Sequence, residues 1–279
     1  MYKRLMYLVC FALVLVLVSN AAAVVTEWTN ATGNRAWQDP GNWTAGVPGT
    51  GIGIDNTLIN GVNHGDIAGP IIGPAIAAST ANGDTWGPEW GLGVDILGGS
   101  YSGPAFVGMV AVGDDINPAY INLGAMVGDS YTGGSIEIVN FLIGDSWWWH
   151  GGPKVTYNQW SGTCIASDYI WLGGKMNLYG GYTKATNGFA MASVGQPSSI
   201  TTLDIAGGAL SLPAAYETDG TVQSWIDNGY LIANGGAAGW FIKRDLITEP
   251  GRVVLTAIPE PATMILLGLG SLLLRRKHS

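Results

Sequence analysis

The stretch Ser135-Ile-Glu-Ile-Val-Asn-Phe-Leu-Ile143 carries the pattern from which the fold class follows. Alternate residues in its first half are apolar, as a β-strand requires when one of its faces lies in a narrow core. The same alternation occurs in Leu203-Asp-Ile205 and in Ala209-Leu-Ser-Leu212. We therefore predict short strands that each bury one face.

Similar alternating or β-branched runs recur along the chain between Gly, Asn and Asp turns, and no segment of the body has a convincing helical period. The segment from Val222 to Gly236 begins like a short helical turn and becomes a strand after Gly229. The predicted strands cover residues 52–59, 94–97, 105–112, 120–123, 135–143, 169–172, 175–179, 201–205, 209–212, 230–233 and 252–256.

Glycine pairs such as Gly173-Gly174 and Gly207-Gly208 separate several of these strands. Several of the gaps between pairs are roughly 20 to 30 residues long, which is the length of one solenoid coil. These features predict an all-β fold, namely a single right-handed parallel β-helix or solenoid-like domain. A β-sandwich or jelly roll is the alternative, because irregular gaps interrupt the series.

Composition restricts the partners of this body. The chain has 279 residues, of which 12 are basic and 20 acidic, and five of the basic residues but only one acid lie in the two terminal segments. Phosphate binding draws its affinity from clustered Lys and Arg, so we do not predict nucleic acid as a partner. An acidic, aromatic-rich body instead favours an extracellular protein that meets sugars, cations or wall components.

Residues 1–23 have the three parts of a secretory signal peptide. Lys3-Arg4 precede an apolar run, and Ser19-Asn-Ala-Ala-Ala23 supplies a small-residue cleavage site. The predicted partners at this end are signal peptidase and the general secretion machinery. Cys10 leaves with the signal, so Cys164 has no cysteine to pair with and is expected to be a small buried residue.

The start of the mature chain is a series of turns spaced by Trp28, Trp37 and Trp43. It resembles the Trp-rich opening of exported bacterial β-solenoids, in which such a segment caps the first coil. A cap covers backbone groups that an open solenoid end leaves unpaired. The functional alternative is a sugar-stacking platform formed by Trp37 and Trp43.

The chain ends in Ile258-Pro-Glu-Pro-Ala-Thr263, an apolar run and a basic stop. The thirteen residues 262–274 are fewer than the roughly 20 that a helix needs to cross a bilayer, so we predict a short hydrophobic helix that anchors the chain in the inner membrane only transiently. The anchor residues are Met264, Leu266, Leu267, Leu269, Leu272, Leu273 and Leu274, and the basic residues Arg275, Arg276 and Lys277 should stay on the cytoplasmic side.

This order of motifs resembles the PEP-CTERM sorting signal of exported bacterial proteins, carried here by residues 258–279 with Pro259, Glu260 and Pro261 as the triplet. The resemblance implies that exosortase, a membrane protease-transferase, cuts near the triplet and passes the protein to the cell envelope or to an extracellular polysaccharide matrix. It implies a destination and not an activity for the body, residues 24–257.

Catalytic residues are not predicted, because neither His64 nor His150 lies in a recognisable nucleophile motif. Calcium is the one candidate cofactor, since stacked coils would bring the carboxylates of Gly-Asp turns together. The alternative is that these aspartates serve only as turn residues. They are Asp114, Asp115, Asp129 and Asp145.

The run Trp147, Trp148 and Trp149 predicts a carbohydrate contact. Successive strand residues face opposite sides, so at least one of these indoles should be exposed, although the cluster could equally pack under a loop. The whole sequence predicts an exported structural or adhesive protein of the cell envelope or exopolysaccharide matrix. The alternative is a polysaccharide-binding or polysaccharide-active protein, since lyases and glycosidases also use the β-helix fold.

Overall fold

The computed structural model describes residues 24–48, 54–60, 69–74, 76–79, 85–89, 93–108, 119–127, 130–143, 155–191 and 201–260. The predicted signal peptide, the apolar run and the basic stop lie outside these residues. Within the described part of the chain, every helix is too short or too polar to span a membrane.

Strands form most of the regular structure, joined by short helices at Pro40–Asn42, Ala215–Thr218, Thr221–Asp227 and Asn234–Gly236. In chain order the strands are β1 (Val24–Glu27), β2 (Ile54–Asn60), β3 (Ile71–Ile72), β4 (Ala77–Ser79), β5 (Thr85–Glu89), β6 (Gly93–Ile96), β7 (Ser100–Gly108), β8 (Ala119–Leu123), β9 (Met126–Val127), β10 (Ser130–Tyr131), β11 (Ser135–Ile143), β12 (Val155–Gln159), β13 (Thr163–Ala166), β14 (Tyr169–Leu172), β15 (Lys175–Leu178), β16 (Tyr182–Ala185), β17 (Gly188–Met191), β18 (Thr202–Ile205), β19 (Ala209–Pro213), β20 (Leu231–Ala233), β21 (Trp240–Asp245) and β22 (Arg252–Pro259).

Two large sheets contain almost all of the described strands. A 13-stranded sheet follows the main path β1-β2-β5-β7-β11-β13-β16-β19-β22-β21, and a 7-stranded sheet has the order β20-β18-β15-β12-β8-β6-β3. Their pairs are parallel except for β19–β22 and β21–β22. The fold is therefore mostly β, with large parallel sheets, as the all-β prediction required.

From β11 onward the chain passes repeatedly from the 13-stranded sheet to the 7-stranded sheet and back, with one or two consecutive strands in the larger sheet each time. Parallel neighbours need a crossover connection, and here it passes through the other sheet. Strand β12 lies between the paired strands β11 and β13, and β15 lies between the paired strands β14 and β17. Each return places a strand beside the previous one in the same sheet. Successive strands are thus stacked in chain order.

Strand β11 shows how the sequence produces this arrangement. Ile136, Ile138, Phe141 and Ile143 are buried, so the inward alternation skips one position at Val139-Asn140. The first half of β11 pairs with β13 and the second half with β14. Side chains alternate between the two faces of a strand, so both halves of β11 can direct side chains into the core only if the backbone bends at Val139-Asn140.

A row of amide side chains connects neighbouring strands of the 7-stranded sheet. Asn122 Nδ2 donates to Asp95 Oδ1 at 2.8 Å, Asn158 Nδ2 to Asn122 Oδ1 at 3.0 Å, and Asn177 Nδ2 to Asn158 Oδ1 at 2.9 Å. Parallel in-register pairing places equivalent side chains side by side, which is why the same residue type recurs. The row therefore fixes the register of four strands.

The three N-terminal tryptophans lie in the core. Trp37 and Trp43 are only 1% and 5% exposed, and the rings of Trp28, Trp43 and Trp37 pack edge to face with centroids 4.9 Å apart. Their segment extends both sheets, because β1 pairs with β2 and Ala36 bridges Ile71 of β3. It thus lies at the N-terminal end of both sheets. The alternative interpretation of Trp37 and Trp43 as a sugar platform is wrong, since a buried indole presents no face to a ligand.

Candidate functional site

Several predicted site residues cannot be located. The tryptophan run, the four aspartates of the calcium hypothesis, Pro261, the anchor and the basic stop all fall outside the described residues. Among the residues that are described, no group of three or more His, Cys, Asp or Glu side chains is arranged to hold a metal ion. The carbohydrate and calcium hypotheses for those positions stay predictions.

Cys164 is fully buried, as expected of a small core residue. Burial raises the pKa of its thiol to about 12, against a smaller opposing effect of the hydrogen bond with Tyr157. A thiol with this pKa is protonated at neutral pH, and the thiolate is the nucleophilic form. Cys164 therefore belongs to the core, with its thiol in the protonated form.

Glu249 is the centre of a polar cluster near the C-terminal end. Tyr182 Oη donates to Glu249 Oε1 at 2.6 Å, and Ser211 Oγ donates to Glu249 Oε2 at 3.0 Å. Lys184 Nζ lies 3.9 Å from the same carboxylate. Burial acts to raise the pKa of Glu249, but these hydrogen bonds and the nearby cations outweigh it, so that the pKa is lowered. The carboxylate is thus held ionised by its neighbours.

Arg252 fastens this cluster to the sheet. Its guanidinium donates to the carbonyl oxygens of Thr186 and Ser211 at 3.1 and 2.9 Å, and also to that of Ala185. Its Nε donates to Ser211 Oγ at 2.6 Å. Hydrogen bonds from a charged donor such as Arg252 are stronger than neutral ones. These bonds therefore stabilise the C-terminal end of the fold. We name Tyr182, Lys184, Ser211, Glu249 and Arg252 the clasp.

An exposed pair of aromatic rings lies on the outer face of β14. Tyr169 and Trp171 point outward while Ile170 and Leu172 are buried, and Trp171 is 39% exposed. Their ring centroids are 5.5 Å apart with planes inclined by 28°. We name these two residues the aromatic pair.

The neighbouring strand β17 leaves room for the aromatic pair. Tyr169 and Trp171 lie opposite Gly188 and Ala190 in the register of β14 and β17. The Tyr169 ring lies so close over Gly188 that a Cβ atom there would be 2.1 Å from it. Beside the rings, Asn187 Nδ2 donates to Asp168 Oδ1 at 3.1 Å. The result is an aromatic surface bordered by the half-buried carboxylate of Asp168 and the exposed amide of Asn187.

Residues Trp160 and Tyr179 form a second stacked pair, with ring centroids 4.1 Å apart and planes inclined by 19°. Each follows directly after a strand of the 7-stranded sheet, β12 and β15 respectively. This pair therefore stacks along the direction in which the strands succeed one another. Tyr179 is exposed to a similar extent as Trp171, but this pair follows the strand ends, whereas the aromatic pair lies within β14.

The start of the sorting motif belongs to the folded body. Strand β22 continues through Ala257 and Ile258 to Pro259, opposite β21. The Glu260 amide then donates to the Gly239 carbonyl at 2.7 Å. Strand β22 thus crosses the predicted body boundary at 257 and ends at Pro259, the first residue of the triplet.

These geometries define the class of the protein as a mostly β body that continues directly into a C-terminal targeting segment. Residues 257–277 match the PEP-CTERM protein-sorting motif. No curated protein and no solved structure shows significant similarity to the chain. The motif implies export, a membrane-anchored sorting signal and exosortase as the processing partner.

Sequence reasoning found the sorting motif but did not single out the aromatic pair. The sequence does contain a signal for the pair. Tyr169 and Trp171 are two residues apart in a predicted strand whose bounds match those of β14, so both side chains must lie on the same face. The clasp had no such signal, since its members are up to 70 residues apart in the sequence and meet only through sheet pairing.

Proposed function

We propose that this protein is a structural and adhesive component of the cell envelope or exopolysaccharide matrix, released from its transient membrane anchor by exosortase. The observation that carries the proposal is the match of residues 257–277 to the sorting motif. The resemblance of that motif to the signals of exosortase substrates connects it with surface and matrix delivery. The body is then the part that is delivered.

The body is a right-handed parallel β-solenoid. Alternation of the chain between two sheets, with each strand laid beside its predecessor, supports this architecture over a sandwich or jelly roll, because those folds are built from antiparallel strands. Stacked repeats contact only their neighbours and form an elongated body. Such a body suits a spacer that holds an adhesive surface away from the cell.

The role is not catalytic. This part of the proposal is supported by the clasp, which gathers a carboxylate, a lysine, an arginine and a tyrosine but directs them at one another and at backbone carbonyls. A general acid or base must reach a proton on a substrate. The charged and hydroxyl groups of the clasp already bind one another and backbone carbonyls, so we assign them to the stability of the fold.

Localisation tests the sorting half of the proposal. We would replace the triplet with Pro259→Ala, Glu260→Ala and Pro261→Ala in a host that makes exosortase. The parent should appear in the matrix fraction, and the triple variant should stay in the membrane fraction, as measured by immunoblot of cell fractions. Pro250→Ala is the matched control, because Pro250 follows a glutamate but lies outside the motif. A triple variant that reaches the matrix like the parent would contradict exosortase sorting.

Polysaccharide binding is the second candidate function, and the aromatic pair favours it. Sugar rings stack on aromatic faces, and planar polar groups beside the rings hydrogen-bond hydroxyls. The carboxylate of Asp168 at the border and the net charge of −8 favour a neutral glycan over a polyanion. One platform should bind weakly, and many copies in a matrix would add avidity.

The aromatic pair can be tested with purified protein. Affinity electrophoresis in gels that contain hydroxyethylcellulose, a neutral glucan, should retard the parent, and gels that contain alginate should not. Trp171→Ala should lose about 1 kcal/mol of binding, roughly fivefold in Kd. Phe241→Ala is the control, because Phe241 is equally exposed but lies on β21. If Trp171→Ala and Phe241→Ala are retarded equally by hydroxyethylcellulose, the aromatic pair does not bind the glycan.

A further inference from the structure

We propose that the sorting protease cuts this chain on the C-terminal side of Pro261, so that the mature protein keeps all of β22 together with Glu260 and Pro261. The inference rests on the proposed function, since it takes exosortase processing as given. It adds where the cut falls and what fixes that position. The boundary is set by the folded sheet and not by the triplet alone.

The last four described residues are held by β21. Strand β19 pairs with β22 from Arg252 to Thr256. Beyond that point Ala257, Ile258 and Pro259 pair with Ile242, Phe241 and Trp240 of β21, in that order. The Glu260 amide, bonded to Gly239 at 2.7 Å, extends the ladder by one residue.

A peptide bond in this ladder is a poor substrate. A protease binds its substrate as an extended backbone whose own N–H and C=O groups are available to the enzyme, as in strand addition. The nitrogen that would leave on cleavage after Pro259 is the Glu260 nitrogen, and its hydrogen already bonds Gly239. Cleavage there needs the end of β22 to detach from β21 first, which is a local unfolding event.

The next bond is disfavoured for a different reason. The nitrogen between Glu260 and Pro261 belongs to a proline ring, so it carries no hydrogen and the bond is a tertiary amide with restricted geometry. The first ordinary amide after the sheet therefore joins Pro261 to Ala262. In the cut, a C–N bond breaks, the carbonyl carbon passes to water or to an acceptor nucleophile, and the nitrogen takes up a proton as the new N-terminus of the removed tail.

Only a short length of chain between the sheet and the apolar run is open to the enzyme. Three residues, Pro261, Ala262 and Thr263, separate Glu260 from Met264 at the start of the apolar run. Fully extended they span about 10 Å. On the proposed anchoring of the apolar run, the β21–β22 hairpin is tied to the membrane by no more than this length of chain, and the enzyme has only these three residues between the sheet and the apolar run.

Trimming of the purified chain without its signal peptide tests the protection directly. Proteinase K should remove the tail and stop at or after Glu260, as read from the intact mass of the resistant core. Ile242→Ala removes a side chain that is 9% exposed and lies opposite Ala257, so its core should be shorter and end before Pro259. Phe241→Ala, at a position 38% exposed on the same strand, should leave the limit unchanged. If the protease-resistant core of the unmutated protein ends upstream of Pro259, the inference is overturned whatever the variants show.

Mature protein recovered from the matrix gives the decisive result. Mass spectrometry of its C-terminal peptide should find Glu260 and Pro261 present and Arg275 to Ser279 absent. A mature chain that ends at Pro259 or Glu260 would overturn the cut site while leaving exosortase sorting intact. A chain that still carries Arg275 to Ser279 would overturn the proposed function and this inference together.

Discussion

The two ends of the body are closed in different ways. At the N-terminal end three indoles fill the space over the core, and Trp43 Nε1 donates to the Trp37 carbonyl at 2.7 Å. At the C-terminal end an antiparallel hairpin, β21–β22, adds two strands to the sheet. The first closure depends on side-chain packing and the second on backbone hydrogen bonds. A hairpin can release its last residues one at a time, which suits an end that continues into a processed tail.

The largest expected effect is at the tryptophan end. Trp43→Ala removes a buried ring that packs edge to face against Trp28 and Trp37, so the free energy of unfolding should fall by about 3–5 kcal/mol. Urea unfolding followed by circular dichroism measures the loss. Trp171→Ala is the matched exposed control and should change stability by no more than about 0.5 kcal/mol. Similar losses for the two variants would contradict the contrast between a packed end and an exposed pair.

A smaller effect is expected where the clasp attaches the hairpin to the stacked strands. Arg252→Ala leaves the carbonyls of Thr186 and Ser211 without their charged donor, so the free energy of unfolding should fall by about 1–3 kcal/mol. Lys243→Ala is the control, since its ion pair with Asp245 is exposed and long at 3.5 Å. If the two variants unfold at the same urea concentration, the clasp does not hold the C-terminal end.

Acid should weaken the C-terminal end in a predictable direction. The pKa of Glu249 lies below its ordinary value of 4.5, so ionised Glu249 favours the folded state. This contribution is fully present above the unfolded pKa and is lost as the pH falls through the folded pKa. The parent should therefore lose stability as the pH falls below about 4.5, and Glu249→Gln should show a flatter profile in thermal melts. Parallel profiles would show that other carboxylates account for the acid loss.

The strands that local sequence predicted well are those with apolar inward positions. In β11 and β14 the buried residues are Ile, Phe or Leu, and both predicted ranges match the structure. Strands β13 and β16 were not predicted, because their inward positions are Cys164 with Ala166 and Thr183 with Ala185. Small or polar side chains give little hydrophobic periodicity.

The missed strands also depend on contacts that no local pattern contains. Thr183 is fully buried, and the cost of burying its hydroxyl is offset by the hydrogen bond that it donates, at 2.5 Å, to Oε1 of Gln159 on a strand of the other sheet. The sorting motif was found in full because it is a linear signal. The aromatic pair needs its small neighbours Gly188 and Ala190, which lie on another strand, before its rings can be placed on an open face.

The central claim is that the sorting signal begins inside the folded sheet. Hydrogen exchange with peptide mass readout, on the chain without its signal peptide, measures this at the amides of Ile258 and Glu260, which the antiparallel register directs at β21. We predict that they exchange at least about 10-fold more slowly than in an unstructured peptide of the same sequence, which corresponds to about 1.4 kcal/mol of protection. Exchange at the unstructured rate, with β19 and the rest of β22 still protected, would contradict the claim and place the whole motif outside the fold.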